Sequence, residues 1–551
     1  MGMLVGSAWS GHDCSFCFLD EEGVPVVHAE LERYIREKEP YGDGIAFFKE
    51  RFPEEFARLK YFGTCFPTNK TTDHEESFKD LKSVLEENDG KLFVVSHHQA
   101  HAANTFFSSN FEEAVIVTMD GGGMEDENGF VTAFTVWTGA GNKIERQATF
   151  PVQQVNVGGV WTRATRYIFN LQSGWPTGHQ AGTVMAMAAI GDPSKYKDDF
   201  LAMLTNDLQI ASHKPANQPK GANVGTDPVH PYLNKWRLIA DESEQNRFDL
   251  AAGLQAATEE YVKSLFDQIL ETFPEKRYLC LAGGVTLNSV LTGKFLSWYK
   301  DRLDGIFVTP TPHDGGLTIG TAQYIWHQVL DKPRVNWNDH APVYLGEIYD
   351  LQEISTDIQS FGDKITTERA SLDDVVDLLD RQKIVSVFSA GSESGRRALG
   401  NRSILADPRS PDMKDMINEK VKHRQWFRPF APSILAEDTE DWFGENVESP
   451  YMSFVVDFKE EVKEKVPAVV HLDGTARLQT VSKNNNPWYH SLLTAWKNKS
   501  GVPILLNTSF NDREPICETP KHAIDCFLRT NIDHLYFADH NILVSKKEES
   551  K

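Results

Sequence analysis

The stretch Ser96-His97-His98-Gln99-Ala100-His101-Ala102 is followed by Val115-Ile-Val-Thr-Met-Asp120-Gly-Gly-Gly123. His97 and His101 are four residues apart, so on a helix their imidazoles project from one face and can bind one ion. The second segment is an apolar, β-branched run that ends in a carboxylate and three glycines, which predicts a buried strand. We expect a turn after Asp120, where backbone N–H groups can approach a phosphate.

This pair of segments forms a candidate metal site. Two imidazoles and a carboxylate suit Fe(II), Mn(II) or Zn(II). A later run, Ile306-Phe-Val-Thr-Pro-Thr-Pro-His313-Asp314-Gly-Gly316, again ends a strand in a carboxylate and glycines, so Asp314 is a candidate for a further ligand. The alternative is a helix start with histidines that are hydrogen-bonded within the protein, and spacing alone leaves both interpretations open.

Length and charge limit the class of protein. A chain of 551 residues is too long for one hydrophobic core, which predicts about two to four domains. With 56 basic and 79 acidic residues the net charge is −23, which argues against a protein whose whole surface binds nucleic acid or anionic lipid. No segment resembles a signal peptide or a membrane-spanning helix, so we expect a cytoplasmic protein that does not act in a membrane.

The N-terminal residues predict strands joined by a polar turn. Met3–Trp9 forms the first strand, and Ser10-Gly11-His12-Asp13 turns into a second strand that contains Cys14 and Cys17. Cysteines at this spacing also occur in redox and zinc motifs, but no second pair lies at zinc-finger distance, so we predict core thiols. Strand–turn–strand with polar groups at the turn is how sugar-kinase/actin-like folds begin. The charged run Glu30–Lys38 either brings cations near that turn or is a solvated face.

A basic segment interrupts this acidic chain at residues 212–237. It contains four prolines and a single acid, Asp227, and its cations predict a long loop that is either a solvated insertion or a contact surface for DNA or a nucleotide. These basic side chains are those of His213, Lys214, Lys220, Lys235 and Arg237.

Two further segments carry candidate binding groups. Arg277-Tyr-Leu-Cys-Leu-Ala-Gly283-Gly284-Val-Thr-Leu-Asn288 is a strand that ends in two glycines, which let a nucleoside lie against the backbone, and an amide that can hydrogen-bond it. After a linker at residues 330–350, residues 395–432 contain many arginines between small and aromatic residues. Guanidinium groups held among core residues suit phosphate and carboxylate oxygens, so we predict a second, anion-binding site.

The ordered set of motifs resembles the O-carbamoyltransferase family of nodulation-factor, cephamycin and tobramycin biosynthesis, essentially from end to end. The matching motifs are Gly11-His12-Asp13, His97-x-x-x-His101, Asp120-Gly-Gly-Gly123, Gly283-Gly-Val-x-x-Asn288, His313-Asp-Gly-Gly316, Arg397-Ala-Leu-Gly-Asn-Arg-Ser-Ile-Leu-Ala-Asp-Pro-Arg409, Phe427-Arg-Pro-Phe-Ala-Pro432 and Leu506-Asn-Thr-Ser-Phe-Asn511. The resemblance implies an α/β protein with two domains. Residues 1–345 would form a Kae-like domain of the actin/sugar-kinase type with the ATP and metal site, and residues 350–551 a YrdC-like α/β domain that binds carbamoyl phosphate.

The resemblance also implies a role for each matching residue. Carbamoyl phosphate and ATP, with Mg(II), would give carbamoyl-adenylate, and the carbamoyl group would then pass to an acceptor hydroxyl. His12 would be the general base, and Arg397 and Arg428 would offset developing charge. The implied ligands of an Fe(II)-like ion are His97, His101, Asp120 and Asp314. The implied nucleotide-binding residues are Lys38, Gly122, Gly123, Gly283, Gly284 and Asn288. The implied carbamoyl phosphate-binding residues are Arg397, Lys422, Arg428, Arg477, Asn507 and Ser509.

The chain departs from the family pattern in two places. Before the arginine motif it has Glu393-Ser-Gly-Arg396 where the family has Glu-Phe-Gly-Pro, a change that bears on local packing. Residues 181–188 read Ala-Gly-Thr-Val-Met-Ala-Met-Ala where the family has Glu-Gly-Lys-Val-Met-Gly-Leu-Ala, so Thr183 stands in place of a lysine.

The acceptor is the least determined part of this interpretation. From the resemblance to the family we expect a small-molecule alcohol such as a sugar or an antibiotic. The alternative that the basic segment favours is a hydroxymethylated pyrimidine in DNA or in a nucleotide, and transfer to tRNA would need a broader basic face. A non-catalytic nucleotide-binding protein is the third class, against which the intact histidine and aspartate motifs argue. The sequence leaves the oligomeric state open, with a homodimer among the alternatives.

Overall fold

The computed structural model describes residues 4–65, 75–171, 180–206, 232–337 and 341–547. The chain forms two compact units, Met1–Ala341 and Pro342–Lys551. The sequence interpretation placed this division between residues 345 and 350.

The first unit contains two mixed sheets of five strands each. The strands of the first sheet are β1 (Leu4–Trp9), β2 (Ser15–Leu19), β3 (Pro25–Glu30), β4 (Leu59–Cys65) and β5 (Lys91–Val95). Their order is β3-β2-β1-β4-β5, with β1, β2 and β3 antiparallel and β1, β4 and β5 parallel. Pro25 therefore lies on an edge strand, which suits a residue that lacks an N–H for the ladder.

The second sheet repeats this plan. Its strands are β6 (Glu113–Met124), β7 (Val131–Ala140), β8 (Lys143–Pro151), β9 (Tyr278–Ala282) and β10 (Gly305–Val308). The order β10-β9-β6-β7-β8 contains the same antiparallel meander and the same parallel pairs as the first sheet. Two copies of one mixed five-stranded plan are the topology of the sugar-kinase/actin-like fold, which confirms the fold class inferred for this unit.

Helices of the first unit connect and cover these strands. They are α1 (Leu31–Ile35), α2 (Gly44–Arg51), α3 (Pro53–Ala57), α4 (Glu75–Glu87), α5 (His97–Ser108), α6 (Val157–Arg163), α7 (Ala181–Ala188), α8 (Lys197–Asn206), α9 (Asn234–Glu242), α10 (Glu244–Thr272), α11 (Ser289–Trp298) and α12 (Leu317–Tyr324).

Two of these helices, α5 and α12, position the candidate metal ligands. They cross so closely that a side chain at Gly320 would meet the carbonyl oxygen of Ala100 at 1.9 Å. Helix α12 lies on the first sheet, where the hydroxyl of Ser7 donates to the carbonyl of Thr318 at 2.6 Å. Helix α5 packs Phe106 against Ile116 of the second sheet. The loop before α12 and the start of α5 are thereby held together.

The turn predicted after Asp120 is absent. Strand β6 continues through the three glycines to Met124, and its pairing with β7 shifts register between Met119 and Gly123. The irregularity is a β-bulge, in which Gly122 has a φ of 142°. Asp120 therefore lies in the bulge, where the regular pairing with β7 is interrupted, and the strand continues beyond it.

The second unit is built on one nine-stranded mixed sheet. Its strands are β11 (Ile365–Arg369), β12 (Val385–Phe388), β13 (Arg402–Ala406), β14 (Ala431–Leu435), β15 (Phe454–Asp457), β16 (Thr475–Val481), β17 (Ile504–Ser509), β18 (His534–Phe537) and β19 (Ile542–Lys546). Their order is β11-β19-β18-β12-β13-β17-β14-β16-β15. The helices of this unit are α13 (Leu351–Ser360), α14 (Leu372–Asp380), α15 (Asp412–Lys420), α16 (Thr439–Phe443), α17 (Pro487–Ser500) and α18 (Pro520–Arg529).

Three other expectations can be compared with the structure. Cys14 and Cys17 are buried and free, as predicted for core thiols. Residues 212–231 of the basic segment lie outside the described residues. The remainder corrects the loop prediction, because Lys235 and Arg237 lie in α9, where the exposed side of a helix accommodates charged residues. Within the described part of the chain, no helix combines the length and the apolarity needed to cross a membrane.

Candidate functional site

Four side chains converge at one point of the first unit. His97 is the first residue of α5, and His101 lies one turn later on the same face. Asp120 comes from the bulge of β6, and Asp314 from the loop that begins α12. One ligand atom from each of these residues lies within 4.8 Å of the others. The structure therefore brings together all four ligands that the resemblance implies.

The donor atoms face one another across a narrow gap. The Nε2 atoms of His97 and His101 are 3.2 Å apart. His97 Nε2 is 3.1 Å from Asp120 Oδ2 and 3.4 Å from Asp314 Oδ1, and His101 Nε2 is also 3.4 Å from Asp314 Oδ1. The N–H of Gly284 donates to the other oxygen of Asp120 at 3.1 Å, which fixes the orientation of that carboxylate.

The charges of this cluster suit a cation. Burial opposes protonation of His97, but the carboxylates of Asp314 and Asp120 outweigh it and raise its pKa to about 10. Burial raises the pKa of Asp120, but the hydrogen bonds of His101 and His97 outweigh it and hold that pKa well below its usual range. Two carboxylates and two facing imidazole nitrogens are stabilised by a positive charge between them, either a proton or a cation. This set of nitrogen and oxygen donors suits a divalent ion of intermediate hardness.

His12 lies at the exposed side of the cluster. Its Nε2 is 3.3 Å from Asp314 Oδ2, its Nδ1 is 3.0 Å from Asp13 Oδ2, and its side chain is 50% exposed. Burial lowers its pKa, but the charges of Asp314 and Asp13 outweigh this and raise it to about 10. A general base must be neutral, so this role requires that the charge of Asp314 be offset, as ligation of a cation would do.

A buried ion network supports the Asp314 loop from behind. Glu30 pairs with Arg33 at 3.0 Å and with His313 at 3.2 Å, and Arg33 is only 3% exposed. His28 Nε2 is 2.8 Å from the carbonyl oxygen of Gly315. This part of the charged run Glu30–Lys38 is therefore neither a solvated face nor a row of cations open to a nucleotide. In the sequence only the Glu30–Arg33 pair is local, because His313 and Gly315 come from a distant segment.

The nucleotide-binding residues that the resemblance implies have visible structural roles. A side chain at Gly123 would meet the His97 ring at 2.1 Å, so this glycine makes room for a candidate ligand. A side chain at Gly283 would meet the carbonyl oxygen of Met119 at 2.1 Å, and one at Gly284 would lie 3.0 Å from Asp120 Oδ1. Asn288 caps α11 through the N–H of Leu291 and donates to Gln255. Gly122 is exposed in the bulge, and Lys38 is partly exposed after α1.

Arginines of the second unit gather around one face of its sheet. Arg397 lies in the loop before β13, Arg428 precedes β14, and Arg477 is in β16. Burial and the charges of Arg477, Arg396 and Arg428 lower the pKa of Arg397 well below its usual value. Burial and Arg428 lower the pKa of Arg477 to about 10. Within the described residues, Arg428 and Arg477 form no ion pair with a carboxylate. Such uncompensated guanidinium groups are suited to binding an anion.

A buried carboxylate shapes the Arg397 loop. Glu393 accepts hydrogen bonds from the backbone N–H groups of Leu399, Asn401 and Arg402, at 2.7, 2.8 and 3.1 Å. The loop therefore folds around Glu393, and Arg397 is presented from it.

Asn507 places an oriented acceptor among these donors. Its Nδ2 donates to Gln479 Oε1 at 2.8 Å, to the carbonyl of Ala398 at 3.1 Å and to Ser433 Oγ at 3.1 Å. These acceptors fix the amide orientation, so Oδ1 points the other way. That oxygen is buried without a hydrogen-bond partner in the described part of the chain.

The other predicted residues of this site hold a loop. Lys422 Nζ donates to the carbonyls of Ser509 and Asn511 at 2.7 and 2.8 Å and to Ser509 Oγ at 3.2 Å. Lys422 therefore fixes the turn that follows β17 and adds positive charge beneath it. Ser509 donates to Asn511 Oδ1 at 2.7 Å.

Two arginines of the motif Arg397–Arg409 have contacts of another kind. Arg402 is fully buried, donates to the carbonyls of Asn401 and Ala390 and lies 3.5 Å above the Phe388 ring. Arg409 pairs with Asp407 and Asp380, each at 2.7 Å. Both therefore stabilise the fold. Lys414 and His471 lie near the cluster and were not recognised in the sequence, where no pattern connects them with the arginines.

Both units are similar in sequence to known proteins. The family profile described as carbamoyltransferase N-terminus matches residues 69–323, and the profile described as carbamoyltransferase C-terminus matches residues 376–546. The nodulation protein NolO of Bradyrhizobium diazoefficiens is 34% identical over 455 residues, which are 80% of this chain and 77% of that protein.

Two further matches differ in strength. The 3'-hydroxymethylcephem-O-carbamoyltransferase of Amycolatopsis lactamdurans is 31% identical over 343 residues, covering 62% of this chain and 61% of that protein. The crystal structure of full-length HypF in its phosphate- and nucleotide-bound form covers 61% of this chain and 56% of its own, with 14% identity and a TM-score of 0.33. A structural likeness of this size says nothing about function.

Proposed function

The chain belongs to the carbamoyltransferase family, and from that premise we propose that it is an ATP-dependent O-carbamoyltransferase that acts on a small-molecule alcohol. In the first reaction, carbamoyl phosphate, ATP and water give carbamoyl-adenylate, pyrophosphate and phosphate. In the second, the acceptor hydroxyl oxygen attacks the carbamoyl carbon and the bond from that carbon to the AMP oxygen breaks. The hydroxyl proton passes to a base, and AMP leaves.

The observation that carries the proposal is the guanidinium face of the second unit. Burial lowers the pKa of both Arg428 and Arg477, and the nearby charge of Arg428 lowers the pKa of Arg477 further. A phosphate dianion would offset this repulsion and accept paired N–H donors from the guanidinium forks. Carbamoyl phosphate carries such a phosphate, and Asn507 Oδ1 is an acceptor beside it. The same donors would offset charge as the phosphate leaves.

The first unit is suited to the transfer step. His97, His101, Asp120 and Asp314 would hold a divalent ion, which when bound would neutralise phosphate oxygens of the nucleotide. The bulge at Gly122 and the backbone at Gly283 and Gly284 would bring main-chain groups near those oxygens. Asp13 holds His12 from the Nδ1 side, and Nε2 faces Asp314. Once a bound cation offsets the charge of Asp314, Nε2 of the half-exposed imidazole would take the proton from the acceptor.

The surroundings of His12 favour a small acceptor with a ring. Tyr41 is 76% exposed, and its ring centre lies 6.0 Å from that of His12 in an edge-to-face arrangement. An exposed aromatic face next to the base can pack against a sugar or a comparable ring. A relative in this family is named for a hydroxymethylcephem acceptor, which is a small-molecule alcohol. In the described part of the basic segment, Arg237 pairs with Asp241 in α9.

The test uses the full chain with ATP, Fe(II) and Mg(II) under anaerobic conditions and carbamoyl phosphate labelled in its carbamoyl carbon. The acceptors are sugar and antibiotic alcohols, hydroxymethylpyrimidine nucleotides and DNA that contains hydroxymethylcytosine. We expect label in a small alcohol together with equal amounts of AMP. Label in DNA alone would contradict the proposed acceptor, and the absence of pyrophosphate and AMP with every acceptor would contradict the proposed reaction.

Variants separate the two reactions. Arg477→Gln should abolish pyrophosphate release, whereas His12→Asn should leave pyrophosphate release measurable and stop the labelling of the alcohol. Arg277→Gln is the matched control, because Arg277 pairs with Asp304 on the surface of the first unit and both side chains are nearly half exposed.

A further inference from the structure

A turn before β16 carries a histidine with one unused nitrogen. The N–H of His471 donates to the carbonyl of Thr475 at 2.8 Å, and the N–H of Gly474 donates to the carbonyl of His471 at 2.9 Å. Gly474 has a φ of 83°, which favours glycine at this corner. The turn folds the imidazole of His471 back against the side chain of Thr475.

Hydrogen bonds in the turn determine which ring nitrogen carries the proton. The hydroxyl of Thr475 donates to Asp473 Oδ1 at 2.7 Å, so its oxygen is left as an acceptor. His471 Nδ1 lies 3.1 Å from this oxygen and must supply the proton of that bond. The neutral imidazole therefore has its lone pair on Nε2.

This Nε2 is a buried acceptor in the neutral ring. In the described part of the chain it has no hydrogen-bond partner. Burial lowers the pKa of His471, Asp473 opposes this, and the cations Arg477 and Lys414 reinforce it, so the pKa lies at about 4. The ring is therefore uncharged at neutral pH.

The strand pattern places His471 on the face that carries the anion site. Side chains alternate along a strand, so Thr475, Arg477 and Gln479 of β16 share one face. Gln479 is the partner of Asn507 on that face. His471 bonds to Thr475 and lies near the charge of Arg477, so it belongs to the same face. Its Nε2 is an acceptor near the guanidinium group of Arg477, which offers only donors.

We propose that His471 is a specificity residue whose Nε2 accepts a hydrogen bond from the amide NH2 of carbamoyl phosphate. This assignment rests on the proposed function and goes beyond it by naming the group that recognises the amide of the carbamoyl moiety. The phosphate dianion and the carbonyl oxygen have only lone pairs, which a bare nitrogen would repel. The amide is the only donor of this substrate, and it needs an acceptor that the arginines cannot provide. A site built for an N–H group disfavours an analogue that lacks it, because the acceptor is then buried without a partner.

The experiment compares two stable phosphonates by calorimetric titration of the full chain. Phosphonoacetamide carries the amide, and acetonylphosphonate has a methyl group in its place. We expect the wild type to bind phosphonoacetamide about tenfold more tightly. His471→Ala should bind both probes alike and inorganic phosphate as the wild type does. His471→Gln should restore part of the preference, because its amide oxygen is again an acceptor.

Leu472→Ala is the matched control, because Leu472 lies in the same turn and is 54% exposed. It should keep the preference. If the wild type binds the two phosphonates equally, or His471→Ala keeps the preference, the assignment of His471 is wrong while the anion site stands. If the wild type binds neither phosphonates nor inorganic phosphate, the proposed function of the second unit fails and the assignment fails with it.

Discussion

Replacing Gly123 by alanine should displace His97 and weaken the binding of a divalent ion. The added methyl carbon would lie 2.1 Å from Cγ and Cδ2 of His97 and 2.7 Å from its Cβ. An ordinary contact begins near 3.4 Å, so the ring must move by about 1 Å or more. Because Cβ of His97 is also too close, rotation of the ring alone does not relieve the clash.

The magnitude follows from the tolerance of metal coordination. Ligand distances in such sites hold to within about 0.2 Å, so a ring displaced this far no longer coordinates well. Loss of the groups that support a ligand typically weakens binding by about 10–100-fold, or about 1.4–2.8 kcal/mol, and we expect at least this effect. Fe(II), Mn(II) and Zn(II) affinities can be measured by competition with a chromophoric chelator under anaerobic conditions.

Gly121→Ala provides the control within the same bulge. Its methyl carbon would have its nearest neighbours at 3.8 and 3.9 Å, so metal affinity should remain at the wild-type value. Thermal unfolding measurements on both variants test whether they are folded. If folded Gly123→Ala binds all three ions as tightly as the wild type, His97 is not a ligand and the interpretation of the cluster is refuted. A loss of ATP affinity with unchanged metal affinity would instead support the nucleotide role that the resemblance implies for Gly123.

Three other predictions concern the anion site, the pH dependence of stability and the cysteines. Arg428→Gln should weaken the binding of inorganic phosphate by about tenfold or more in a titration, because the charged guanidinium group is lost. Arg409→Gln is the control: it should lower the unfolding temperature and leave phosphate binding unchanged. Burial is the main reason that the pKa of His327 falls to about 4, so the unfolded chain binds its proton more tightly and stability falls as the pH drops below the ordinary value of 6.5. This should cost the first unit about 2 kcal/mol between pH 7 and pH 5 in urea unfolding, and an equal loss in His327→Gln would contradict the assignment to this residue. Burial raises the pKa of the Cys14 and Cys17 thiols, so both should resist alkylation until the protein unfolds, and rapid labelling of the native chain would show that they are accessible.

Local sequence patterns were sufficient for the elements that carry the site. Alternating or continuous apolar runs predicted β1, β2, β6, β9 and β10, and the four-residue spacing of His97 and His101 predicted a common helix face. These features depend on neighbours along the chain, because side-chain direction repeats every two residues in a strand and about every 3.6 in a helix. The edge position of Pro25 follows equally from local chemistry, namely its missing N–H.

Predictions that concerned the environment of a residue were less successful. The glycines after Asp120 suggested a turn, but strand pairing with β7 continues through them as a bulge. Gly123 matched a nucleotide motif, and its contact with His97 became visible only in three dimensions. Lys235 and Arg237 were placed in a loop because prolines precede them, whereas they begin α9. Arg33 belongs to a charged run that the sequence left open as cations near the first turn or a solvated face, whereas in the structure it is buried and pairs with Glu30.

The sequence by itself determined the kind of chemistry, because imidazoles, carboxylates and guanidinium groups occur in motifs whose local geometry is set by helix and strand periods. Tertiary structure decided which of these groups meet. Asp314 joins His97 only because α12 crosses α5, and Arg477 joins Arg428 only because β16 pairs with β14. It also separated the arginines that we propose to bind an anion from Arg402 and Arg409, which hold the fold. The physical reason is that contacts between distant segments are fixed by the packing of whole elements, which no local pattern in the chain records.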